Sequence, residues 1–213
     1  MKVLLDIFAK IISLVFYPLF IPTYGIALFC YVSATQMETP PTLLWMAMAV
    51  SGTLLFTCVL PMLSIWALMR RGKVQDIQIA KAEERTLPYI YSSIGFAFWT
   101  YFMMSVLQSP IFLSMVCLGT TIAIGIVAVI NRWWKISAHL TGIGGLFGGL
   151  MSYFLYMGIT PSWFILSICF LLSFIVMTAR LRLNAHTDAQ VAAGWLLGLI
   201  CSFIPYSIIH YVA

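Results

Sequence analysis

The chain has 213 residues, of which 62% are hydrophobic and only 8% charged, with a formal net charge of +5. Soluble domains carry about 25% charged residues, so a water-soluble globule is excluded, and with a mean hydropathy of +1.03 no nucleic-acid partner is expected. A bilayer span needs roughly 20 mostly apolar residues, and the expected fold is an all-α integral membrane protein, a bundle of about six or seven transmembrane helices. No linker divides the chain, so residues 1–213 are expected to form a single transmembrane domain.

The start, MKVLLDIFAK, lacks a small-residue cleavage site and predicts no removable signal peptide. Residues 3 to 16, with Asp6 and Lys10 among apolar neighbours, predict an amphipathic helix at the interface. A first span is expected at 17–34, where Pro18 and Pro22 fall in the opening turns and remove N–H groups that would have had no partner. Further spans are expected at 43–69, 89–107, 111–130, 140–157, 162–178 and 190–211, interrupted by the polar stretches RRGKVQDIQIAKAEERTLP, NRWWKIS and ARLRLNAHTDAQ. Trp133 and Trp134 suit an interfacial aromatic belt. Gly142, Gly144, Gly145, Gly148 and Gly149 form a small-residue stripe suited to close helix packing, not a phosphate loop. Cys30, Cys58, Cys117, Cys169 and Cys201 are scattered through apolar runs and are expected to act as small hydrophobes.

The eleven basic residues all fall at the N-terminus or in the loops after the second, fourth and sixth spans, while the opposite loops hold only Glu38. The positive-inside rule then puts the N-terminus and these three loops in the cytoplasm, as in a bacterial inner (cytoplasmic) membrane protein. Arg132 and Arg182 are expected to serve topology or lipid headgroups, and His210 to bond a neighbouring helix.

The same loops carry the chemistry. They supply Ser137 and His139, then Arg180, His186, Asp188 and Gln190, and also Lys81 and Arg85. Histidines, basic residues and a hydroxyl suit a phosphate ester, because a guanidinium pairs two-pronged with phosphate oxygens and lysine supplies a point charge. A histidine can attack phosphorus, and a second can protonate the departing alkoxide.

The order Ile136-Ser137-Ala138-His139, followed by Ala179-Arg180, five residues, His186, three residues and Gln190, resembles the type-2 phosphatidic acid phosphatase superfamily. That family's second and third motifs are P-S-G-H and S-R-x5-H-x3-D, and its first, K-x6-R-P, is echoed loosely by KAEERTLP. The resemblance covers about residues 81–194. It implies that His186 is the nucleophile and His139 the general acid, with Arg180, Ser137, Arg85 and Lys81 holding phosphate. It implies no metal and no cofactor. Gln190 stands where the family has its orienting aspartate, and Ala138 where it has glycine. Asp188 is the alternative orienting group; Lys81 lies four residues before Arg85, and Gln78 holds the family's lysine position. The implied function is a membrane-embedded phosphatase acting on a lipid phosphate monoester or diphosphate through a phosphohistidine, among membrane lipids. A non-hydrolytic relative that binds or moves an anionic lipid or phosphate is the alternative, and phosphoryl transfer to another acceptor would use the same residues.

Overall fold

The computed structural model describes residues 2–77, 79, 81–158 and 161–212, without the side chains of 82 and 205–212. Gln78 and the side chain of His210 therefore lie outside the described residues. Among these residues every regular element is a helix. In chain order they are α1 (Lys2–Val15), α2 (Ile21–Gln36), α3 (Leu43–Leu54), α4 (Leu60–Arg70), α5 (Thr86–Ser105), α6 (Ile111–Ile130), α7 (Ala138–Met157), α8 (Trp163–Arg182) and α9 (Asp188–Val212).

Local chemistry sets the boundaries. Thr42, Ser137 and Ser162 cap α3, α7 and α8 by accepting the N–H of Trp45, Leu140 and Ile165, which satisfies donors that a helix start leaves without partners. Gly158, at φ +61°, ends α7 in a left-handed turn open to glycine at no steric penalty. Helices α3 and α4 are one rod, joined by a π-turn over Leu55–Val59 in which Leu60 N–H reaches back five residues to Leu55 C=O. The widened turn lies just before Pro61, whose ring would crowd the carbonyl of a regular helix.

Helices occupy all seven segments expected to span, but among the described residues four are both long and apolar enough to cross a membrane: Leu43–Arg70, Ile111–Ile130, Ala138–Met157 and Trp163–Arg182. They point to a membrane protein. The expectation of six or seven spans is met by fewer among the described residues because α2 has 16 residues and α5 is diluted by hydroxyls and tyrosines. The outer surface is apolar where water would reject it: Trp163, Phe164 and Leu44 are each more than two-thirds exposed.

Helices α7 and α9 are in closest contact. A Cβ on Gly194 would stand 2.5 Å from the Ser137 carbonyl oxygen and one on Gly148 2.6 Å from that of Leu199, so any side chain there would push the backbones apart. Helix α1 does more than lie at the interface. Asp6 pairs with Arg182 Nε at 2.8 Å, and Arg182 Nη2 donates to the Lys2 carbonyl at 3.0 Å, tying α1 to the last turn of α8. Arg182 thus has a protein partner in place of the lipid headgroup expected for it. The five cysteines are free, and all but Cys117 are buried.

Candidate active site

Four of the expected site residues meet on the wall of one cavity: Arg85, His139, Arg180 and His186. They come from four places in the chain. Arg85 ends a short 3-10 turn (Ala82–Arg85) before α5, His139 sits in the first turn of α7, Arg180 in the last turn of α8, and His186 in the α8–α9 connection. Arg180 is therefore on a helix, not in a loop, because α8 runs four residues past the expected end of its span. All four side chains are nine-tenths or more buried.

His186 is held in one tautomer. Its Nδ1 lies 3.0 Å from the Lys135 carbonyl oxygen and 3.3 Å from Gln190 Oε1. The same Oε1 accepts the Thr187 N–H at 3.1 Å, so the amide oxygen, not its NH2, faces the ring. Two acceptors require Nδ1 to carry the proton, which leaves the lone pair on Nε2. Asp188 begins α9 at the surface, so of the two candidate orienting groups it is Gln190 that bonds the ring. The Gln190 carbonyl also accepts the Ser137 N–H at 3.3 Å, joining the α6–α7 and α8–α9 connections behind the ring.

His139 points its Nε2 at the Ser13 carbonyl oxygen of α1, 3.1 Å away, so Nε2 is a donor and Nδ1 the free acceptor. Tyr17 packs edge-on against its ring at 5.7 Å. Arg85 Nε donates to the Ile79 carbonyl at 2.8 Å. Ile79 holds φ +48°, a conformation unfavourable for a β-branched residue, and it aims that carbonyl at the guanidinium. Arg180 Nε is buried with no hydrogen-bond partner.

The other expected residues do not reach the cavity. Ser137 is fully buried as the α7 cap, its Oγ accepting the Leu140 N–H. Lys81 is exposed and 3.9 Å from Glu84 Oε1. Conversely, Tyr17 and Tyr89 line the cavity beside the arginines and were not singled out from the sequence. Their only sequence signal is an aromatic ring next to a proline at a span boundary, which interfacial tyrosines share.

Electrostatically the site is cationic. Burial first, then the Arg180 and Arg85 charges, push the His186 imidazole down from 6.5 to about 4. Burial and the same two arginines also lower Lys135. Between pH 6.5 and about 4 the unfolded chain binds a proton at His186 that the folded chain does not. Stability from this group therefore falls as the pH drops through that window and is fully present above it. An imidazole NMR titration of the protein is expected to give His186 a midpoint near pH 4, and a midpoint near 6.5 would contradict the buried cationic setting.

No described lining residue is a carboxylate. A neutral imidazole with its lone pair on Nε2 and two buried guanidinium groups, one with an unpartnered Nε, suit an anion that can be attacked by nitrogen. No family model, curated protein or solved structure matches the chain.

Proposed function

We propose that the protein is a membrane-embedded phosphatase that hydrolyses a lipid phosphate through a phosphohistidine at His186. The observation that carries this reading is the double acceptance of the His186 Nδ1 proton by Lys135 and Gln190 on the wall of a cavity that also holds Arg85 and Arg180. In the proposed reaction Nε2 attacks phosphorus as the bond to the alkoxide breaks. The guanidinium groups of Arg85 and Arg180 take up the charge on the equatorial oxygens. His139 takes the proton of the bound phosphate monoanion on its free Nδ1 and gives it to the leaving oxygen while Nε2–H stays on Ser13. Water then attacks the phosphohistidine, His139 accepts its proton, and orthophosphate leaves with the imidazole restored.

The proposed setting is a bundle of seven spans, α2 through α9 with α3 and α4 as one, in the inner membrane of a bacterium. The basic residues would lie on the cytoplasmic side by the positive-inside rule. A lipid headgroup then reaches the site from the inner leaflet.

One feature favours a second reading, binding or movement of an anionic lipid without hydrolysis. An amide at Gln190 fixes the tautomer but cannot stabilise the positive charge of the ring as a carboxylate does. Phosphate release from a panel of lipid phosphates by the purified protein separates the two. Release from at least one is expected. Binding without release, unchanged in Gln190→Asp, would replace the first reading with the second.

A further inference from the structure

The cavity does not stop at the basic cluster. It is lined by His139 and, fourteen residues further along α7, by Tyr153, a separation of about 21 Å at helical rise. Helix α6 lines it over a matching length, from Val127 to Leu113. The bilayer hydrocarbon is about 30 Å thick, or about 15 Å per leaflet, so the bore is long enough for a lipid tail from end to end.

Away from the basic end its wall is apolar in effect. Phe29, Phe112, Leu113 and Leu150 contribute hydrocarbon. Most of the deep hydroxyls are already bonded within the protein, among them Thr53 to Ala49 C=O at 2.6 Å, Thr57 to Thr53 C=O at 2.8 Å, Thr120 to Val116 C=O at 2.9 Å, and Tyr153 with Ser33 at 3.0 Å; Ser92 and Ser202 also line the cavity. Such a wall offers a ligand few unmet donors among many apolar groups, and it favours hydrocarbon over a polar extension. The bore is also narrow. The cavity volume is about 180 Å³, an average of roughly 9 Å² over a length of about 21 Å, which suits one chain better than two.

We infer that this bore is a tail-binding subsite, and that the ligand is a single-chain lipid phosphate whose hydrocarbon enters the helix bundle while its phosphate meets Arg85, Arg180 and His186. This rests on the reading of the basic end as a phosphate site. It adds that a two-chain phosphatidate cannot be seated whole, and that chain length is measured inside the protein, not in the surrounding bilayer. Burial of each methylene contributes about 0.8 kcal/mol, or about fourfold in affinity.

The test is equilibrium binding of n-alkyl phosphates, from butyl to dodecyl, to the purified full chain in detergent, with farnesyl phosphate run beside them. Dodecyl phosphate is expected to bind at least about 100-fold more tightly than butyl phosphate. Ala123, buried on the α6 wall, is replaced by Phe to fill the bore. Ala123→Phe is expected to reduce dodecyl affinity at least about tenfold, and Ala123→Leu by less, while binding of inorganic phosphate verifies that the basic end is intact. Partition of the tail into detergent is the same for every variant. Equal length dependence in wild type and Ala123→Phe would therefore put the tail outside the bundle and overturn the inference. If Ala123→Phe also loses inorganic phosphate, Cys117→Phe, deeper in the bore, decides by the same comparison. Tighter binding of either the saturated or the prenyl chain, lost on filling the bore, supports the subsite and names its source. Release of phosphate is scored separately in the same samples. Length dependence that filling removes, without release, retires hydrolysis and leaves the subsite standing, whereas release with unaltered length dependence does the reverse.

Discussion

His186→Ala is expected to lower phosphate release from a lipid phosphate by about 10⁴-fold or more, the loss typical of removing the attacking group of a covalent mechanism. No second group on the wall stands ready to replace it. In the proposed reaction His139 has its Nε2–H on the Ser13 carbonyl and the transferred proton on Nδ1, and the tyrosine and threonine hydroxyls are weak nucleophiles without an adjacent base. The substitution leaves the fold little disturbed. Lys135 C=O loses its ring donor, but Gln190 Oε1 keeps the Thr187 N–H, so the penalty is about 1–3 kcal/mol for the group left short. Acid-labile, base-stable label from a ³²P substrate should remain on the wild-type protein after quenching and be absent from the variant. Release within tenfold of wild type would end the nucleophile assignment, whatever the substrate.

The parts of this site that were legible in the sequence are those set by local spacing. Arg180 and His186 are six residues apart because one helix ends and another begins between them, and Asn184, at φ +50°, makes the turn that folds the connection back. Seven segments of apolar composition became helices for the same reason, since composition alone fixes which stretches can satisfy their backbone without water. What was not legible depends on partners distant in the chain. Ser137 had the expected motif position, yet its hydroxyl is taken by the α7 N-terminus, and a cap and a phosphate ligand call for the same residue type. Lys81 had the expected charge, but the 3-10 turn that buries Arg85 leaves Lys81 outside with Glu84. Tyr17 and the Ser13 carbonyl reach His139 only because α1 is strapped to α8 by Arg182 and Asp6. No spacing rule within α1 reports that contact. The bore was invisible for a related reason, since it exists in the space between α2, α5, α6 and α7 and not on any one of them.

Arg180→Met is expected to lower kcat/KM by about 10²–10³-fold, the effect of removing one preorganised charge from a phosphoryl transition state, and at the same time to stabilise the fold. Arg180 is 5% exposed and its Nε has no partner, while the charge closest to it in effect is the guanidinium of Arg85. Among the protein groups around it the guanidinium therefore bears desolvation and like-charge repulsion with no carboxylate on the described lining to offset them. An apolar side chain of similar length relieves both, and a gain of about 1–2 kcal/mol in unfolding free energy is expected in a thermal or denaturant assay without ligand. Arg180→Lys should recover the charge but little of the rate, because an ammonium cannot grip two phosphate oxygens in a plane. Adding inorganic phosphate should then stabilise the wild type more than Arg180→Met, since a ligand that binds only the folded state adds its binding free energy to stability. A purely structural arginine predicts the opposite pair of results, a less stable Arg180→Met and an equal response to phosphate. The sign of the stability change thus distinguishes a residue kept for its ligand from one kept for the fold, with or without a turnover assay.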